Sequence, residues 1–235
     1  MNLETVAPRV GHKTLLYSEL VTNLAGIQAD LAVIGMPFGA AYTPRAYSND
    51  QSNAPQALRE LSDRMVRAPE HYDFDIDGPL LQGRKDIRVV DCGDILPSLT
   101  EPREHYHKLE AAIKELRKGG ALPIILGGDH GITTPALRGY ADEGPITVVH
   151  IDAHLDWRDE VNGVPDGLSS PIRRASEMAH VDKIVQIGLR MQGSARPADY
   201  QAARDYGADL ITAYELHDIG MDAVLNRIPD GGKYY

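Results

Sequence analysis

Asp152, His154 and Asp156 stand at every second position of the stretch ITVVHIDAHLDWRDE, residues 146–160. If the apolar run ahead of them is a β-strand, alternation sends the three side chains to one side, about 6–7 Å between successive members. His150 has the same parity one step earlier, and Val149, Ile151, Ala153 and Leu155 take the opposite face. Two carboxylates and an imidazole converging at a strand end cannot stay buried and unpaired, because the desolvation cost is too high. A divalent metal removes that cost, and mixed nitrogen and oxygen donors are a normal set for one. A second stretch, GGDH at 127–130, follows another apolar run. Its glycines permit a tight turn and close backbone approach, so His130 is expected at the same edge of the sheet. The competing reading is a solvated loop or an internal salt-bridge cluster. Three alternating ligand-type residues plus a Gly-Gly-Asp-His after another strand favour the metal. Oxygen-rich donors without cysteine suit Mn2+, while two histidines leave Ni2+, Co2+ and Zn2+ open.

The elements that must carry these residues are apolar runs at 31–36, 87–91, 122–126, 146–151, 183–188 and 209–213. Most are apolar at successive positions, the pattern of strands covered on both faces. Between them lie helix candidates with Pro55, Pro102, Pro135 and Pro171 at the first helical position, where the missing N–H costs nothing. Gly119-Gly120 closes the helix at 102–118. Strand and helix taking turns predicts an α/β fold, with a mainly parallel sheet and helices on both faces in a three-layer α-β-α arrangement. In such sheets ligands collect at the carboxyl ends of the strands. The sequences following the first four runs, GMPFGAAYTP, DCGDI, GGDHGITTP and DAHLDWRDE, are the chemically informative ones. YDFDIDGP at 72–79 reads as a short excursion. No internal repeat, low-complexity tract or linker interrupts the chain, which predicts a single domain over 1–235.

The 235 residues are 43% hydrophobic and 25% charged, enough for one domain with a sizeable core. The net charge is −10 and no basic run occurs, which speaks against nucleic acid or an anionic membrane as partner. An acidic surface mildly favours a cationic ligand, though it mostly serves solubility. Cys92 is the only cysteine, so no internal disulfide is possible. With neither a signal-type apolar core in MNLETVAPRVGHK nor a membrane-spanning segment, a cytoplasmic location is expected.

GGDHGIT (127–133) and HIDAHLDWRDEVNG (150–163) resemble two metal motifs of the ureohydrolases, the arginase and agmatinase superfamily. The segment GMPFGAAYTPRAYSNDQSNAPQALRE (35–60) resembles that family's first-strand loop and following helix, and DCGDI (91–95) its Asp-x-Gly-Asp. The likeness runs from about Ala32 to the end of the chain. It implies an arginase-like fold and, in the agmatinase-like branch, a binuclear site, usually manganese, that hydrolyses a guanidino group to urea plus an amine. Carried over, His130 and Asp156 hold one metal, His154 the other, and Asp152 bridges both. The implied substrate is a small cationic guanidino compound such as agmatine or guanidinobutyrate, and the implied assembly a homo-oligomer, a trimer or hexamer. Agmatinases place a His-Gly pair ten residues after the last Asp of the motif; here the pair is Asp166-Gly167. Asp166 could contact a cationic substrate or shuttle a proton, or serve as a turn residue before glycine.

The family also carries a later Ser-x-Asp-x-Asp-x-x-Asp-Pro strand with two more carboxylate ligands, and no such pattern occurs in these 235 residues. PDGGKYY (229–235) resembles the lead-in to that strand, so the expectation is a ureohydrolase domain that is C-terminally incomplete, lacking C-terminal strands and holding four of six ligands. Such a chain is expected to bind at most one metal, weakly, and to release no urea alone. The alternative is a non-catalytic or complementing subunit. His105 and His107 read as surface residues, Cys92 as a small core residue after its strand, and Asp91 and Asp94 as turn and hydrogen-bonding residues. His12, His71, His180 and His217 lack ligand-type partners at useful spacing. Trp157 and Tyr42 read as pocket wall or packing. Arg173, Arg174 and Arg190 read as subunit contacts or partners of a substrate carboxylate.

Overall fold

The computed structural model describes residues 6–7, 13–43, 50–66, 68, 70–98, 101 and 103–235. His12, Pro102 and residues 44–49 of the first-strand loop lie outside the described residues. The chain divides into two compact units, one of residues 1–39 and 44–129, the other of 40–43 and 130–235.

In the first unit, β1 (Val6–Ala7), β2 (Glu19–Leu20), β3 (Leu31–Met36), β4 (Val89–Ile95) and β5 (Leu122–Gly127) form one sheet of order β1-β4-β3-β5, with β2 also on β4. Every pairing is parallel except that of β1. Ala32, Val33 and Ile34 are all buried without alternation, as a strand covered on both faces requires. Helix α1 (Ala54–Val66) and helix α2 (Glu104–Lys118) belong to the same unit. α2 buries Tyr106, Leu109, Ile113 and Leu116 along one stripe. It ends at Gly119, where a Cβ would run into the Ile27 carbonyl, and Gly120 follows at φ +82°. A Cβ on Gly128 would sit 2.6 Å from the Met36 carbonyl oxygen, so the close approach expected of the Gly-Gly pair is present at this glycine.

Three expectations are corrected here. β4 starts two residues later than the apolar run and continues through DCGDI, so Asp91, Cys92 and Asp94 lie inside the strand. The two carboxylates are buried there as partners of the buried guanidinium of Arg59 of α1. Its Nε donates to Asp91 Oδ2 (2.8 Å), its Nη2 to Asp91 Oδ1 (3.0 Å) and its Nη1 to Asp94 Oδ1. His105 is not at the surface but buried, its Nε2 3.1 Å from the Gly39 carbonyl oxygen, while His107 is exposed. Burial, with Asp91 beside it, pushes the Cys92 thiol up to about 12.

The second unit carries β6 (Ile146–Ile151), β7 (Val181–Leu189), β8 (Asp209–Thr212) and β9 (Lys233–Tyr234) in the all-parallel order β8-β7-β6-β9. Its helices are α3 (Thr133–Arg138), α4 (Pro171–Ser176), α5 (Pro197–Tyr206), α6 (Ala213–Ile219) and α7 (Met221–Leu225). Successive residues of β7 feed two cores. Ile184 packs with Leu137 of α3, Ile172 and Ala175 of α4 and Ala203 of α5. Val185 packs with Leu216 of α6 and Val224 of α7. Helices therefore cover both faces of this sheet, the three-layer arrangement expected. α4 starts on Pro171 as its sequence implies, whereas α3 starts two residues before Pro135. The proline is still within the first turn, where no intrahelical N–H bond is lost.

Each unit has its own sheet among the described residues: in the first β5 bonds to β3, and in the second β6 bonds to β7 and β9. An apolar run specifies a buried strand but not the neighbour it bonds to. Residues 72–79 form the expected excursion, closed by an antiparallel Asp73–Gly78 bridge. No helix among the described residues is long and apolar enough to cross a membrane.

Candidate metal centre

The backbone that follows β6 rides the end of β7 for two residues. Asp152 N–H donates to the Ile187 carbonyl (3.1 Å), and Arg190 N–H to the Ala153 carbonyl (2.9 Å). The chain then turns. Leu155 and Trp157 drop into the core, and Asp156 between them adopts φ +48°. That conformation costs a non-glycine residue about 1–3 kcal/mol and persists only where surroundings enforce it. Here the Asp156 carbonyl accepts N–H bonds from Ile172 and Arg173 at the start of α4 (3.2 Å each). The expected strand alternation therefore stops at Ile151, a correction to the picture of three side chains on one straight edge.

The turn folds Asp152 and Asp156 back onto His130, which opens the turn into α3, and onto His150 of β6. One donor atom from each of these four residues lies within 4.8 Å of the others. His130 Nδ1 is 2.6 Å from Asp156 Oδ2 and 3.7 Å from Asp152 Oδ2. The His130 and His150 rings stack with centroids 4.9 Å apart. His154 is the outlier. Its side chain is 55% exposed and its ring lies against Gly193, where a Cβ would come 2.8 Å from Cδ2. It still touches the cluster at Asp152 Oδ1, through its backbone N–H (2.7 Å) and through Nδ1 (3.1 Å).

Burial alone would push the Asp152 carboxyl up, but the His154 N–H bond and the nearby imidazoles outweigh it and hold the group below its ordinary value. Burial, joined by His130 alongside, pushes His150 down to about 4. The cluster thus collects anionic oxygens beside neutral nitrogen. Asp152, Asp156 and His130 fit a divalent cation: the donors are mixed nitrogen and oxygen, they converge, and Asp156 is buried.

Asp166 lies outside this four-atom group. It is buried and faces Arg138 of α3 at 3.4 Å. Its loop is pinned by Tyr42, whose hydroxyl accepts Ser169 N–H (2.7 Å) and whose ring fills the space a Cβ on Gly167 would need. Trp157 is core, packed near Tyr206. Arg174 pairs with Asp159 and Glu177, and Arg173 with Glu177. The residue that sequence reasoning missed is Gln186 of β7, whose side-chain amide meets both His150 and the Leu155 carbonyl. A lone amide between Val185 and Ile187, in the apolar middle of the strand, was the available signal.

A parallel-sheet α/β fold with carboxylates and imidazoles gathered just beyond a strand's carboxyl end defines an α/β protein with a group of side chains that could hold a metal ion. Residues 29–233 match the Arginase family, and the chain belongs to it. It is 32% identical over 232 residues to a guanidinopropionase of Pseudomonas aeruginosa, covering 96% of this chain and 69% of that one. It is 30% identical over 203 residues to an agmatinase of Salmonella paratyphi B, covering 85% and 60%. The solved proclavaminate amidino hydrolase of Streptomyces clavuligerus superposes with a TM-score of 0.72 at 27% identity, covering 92% of this chain and 68% of that one. The chain is thus shorter than the relatives it matches.

Proposed function

We propose that the site is a divalent-metal centre for hydrolysis of a small guanidino compound, releasing urea and an amine. The observation that carries this is the convergence of His130, Asp152 and Asp156 donor atoms at the carboxyl end of β6. The names of the relatives, guanidinopropionase and agmatinase, support the same chemistry without choosing a substrate. In this reading His130, Asp152, His154 and Asp156 would hold the divalent cations, with Mn2+ the expected metal. Bound divalent cations supply an activated water at neutral pH and stabilise developing charge. The reaction adds water across a C–N bond: oxygen bonds to the guanidinium carbon, a proton passes to the departing nitrogen, and that bond breaks. Asp166, held by Arg138, stays a candidate for orienting a cationic substrate. A cytoplasmic homo-oligomer built from one ureohydrolase-type domain belongs to the same proposal.

Urea release from agmatine, guanidinobutyrate or guanidinopropionate, with Mn2+ supplied, is the assay. A panel of guanidines yielding no urea from a preparation that holds both metals would refute the activity. The second reading is a complementing subunit whose site is finished by another chain. Restoration of urea release by a partner chain would support it.

A further inference from the structure

We infer that His150 is a positioning residue and not a metal ligand: Gln186 fixes its ring so that Nε2 carries the proton and points it at Asp152. The inference rests on the metal-centre reading above. Proximity alone would make His150 a fourth ligand, since its ring lies in the same cluster. The chemistry of its far side argues otherwise. Gln186 Nε2 lies 2.9 Å from the Leu155 carbonyl oxygen, which can only accept. The atom at that position must therefore be the amide nitrogen, whichever way the amide is first drawn. The same nitrogen lies 2.8 Å from His150 Nδ1, so Nδ1 accepts its second N–H. A neutral imidazole carries one proton, and with Nδ1 accepting it resides on Nε2.

Nε2 is buried and lacks a hydrogen-bond partner of good geometry, but it faces Asp152 Oδ2 at 3.5 Å. A buried N–H has to be satisfied, and this carboxylate oxygen is in place to do it. Asp152 is then held from both sides: Oδ1 takes the His154 backbone N–H and Oδ2 takes the His150 N–H. An Nε2 that bears a proton has no lone pair for a cation. The relay Leu155 carbonyl–Gln186–His150–Asp152 lies wholly within the second unit and orients one of the carboxylates that would hold metal in the proposed centre.

The test reads the tautomer directly, by long-range 1H–15N correlation on the 15N-labelled 235-residue chain, assigned against His150→Gln. Metal-free, His150 is expected to show a protonated Nε2 and an unprotonated Nδ1, and Gln186→Leu to release the other tautomer. On adding Zn2+, His130 is expected to show coordination while His150 keeps its Nε2 proton. An unprotonated Nε2 in the metal-free chain, or its deprotonation by Zn2+, would overturn the inference. Mn2+ affinity, measured by chelator competition, supplies the second arm. His150→Phe is expected to weaken it about 10–100-fold, the usual effect of losing such a support, with the metal-free melting temperature little changed. His150→Gln, which keeps an N–H near Nε2, is expected to restore most of the affinity. Equal losses in both variants, or none in His150→Phe, would count against the positioning role. If the unmodified chain bound no metal, the metal-centre reading would fall, while the tautomer measurement would still decide the Gln186–His150 assignment.

Discussion

Asp156 joins backbone strain to chemistry in one residue. Its left-handed conformation is enforced by α4, and its carboxylate meets His130 at 2.6 Å. Asp156→Asn keeps the shape and removes the charge, so Mn2+ affinity is expected to fall at least about 10-fold, since hard cations select anionic oxygen. Equilibrium dialysis checks this. Cys92 offers an independent check of the fold. With its thiol pushed up to about 12, it is expected to resist a thiol-specific reagent at pH 8 until the chain is unfolded. Rapid labelling of the native protein would contradict the buried strand position. The ligand types were legible in the sequence because chemistry requires them at a strand's carboxyl end. Their directions were not. Spacing of two implies one face only while the strand lasts, and β6 ends before Asp152. His154 consequently lies at the rim, and His150, noticed only for its parity, lies inside. His105 was misread because its burial depends on a carbonyl 66 residues away, which no local pattern reports.

At the level of elements, the loop from Asp152 to Ser170 is held by what its apolar residues bury. Trp157 is almost fully buried among side chains of α3, α4 and α5. Trp157→Ala is expected to cost about 3–5 kcal/mol in urea unfolding, and to weaken metal binding as well because Asp156 is its neighbour in the chain. A loss below about 1 kcal/mol would show that the loop is anchored elsewhere. Strands and helices were readable because continuous β-branched runs and proline-led helices report local physics. The end of β4 was not, because Asp91 and Asp94 look like turn residues until Arg59 is known to pair with them.

For the molecule as a whole, pH and metal are the two informative variables. Burial pushes His105 below its ordinary value, and its Nδ1 lies buried without a hydrogen-bond partner to receive a second N–H. Folded and unfolded chains are both neutral there above about pH 6.5, so its contribution is fully present. As pH falls from 6.5 toward the depressed folded value, the unfolded state takes up the proton first. Stability is then lost by at most about 1.4 kcal/mol per pH unit from this group. His105→Gln is expected to flatten that part of the stability profile, and an unchanged slope would assign the loss to other groups. The central claim, that His130, Asp152 and Asp156 form a cation site, is tested most directly by counting Mn2+ per chain at equilibrium. The account predicts at most one weakly held Mn2+ on the 235-residue chain alone, displaced by chelator and lost in Asp152→Asn. Retention no greater than buffer, or equal retention by Asp152→Asn, would contradict the site, and two tightly held Mn2+ per chain would contradict the ligand assignment.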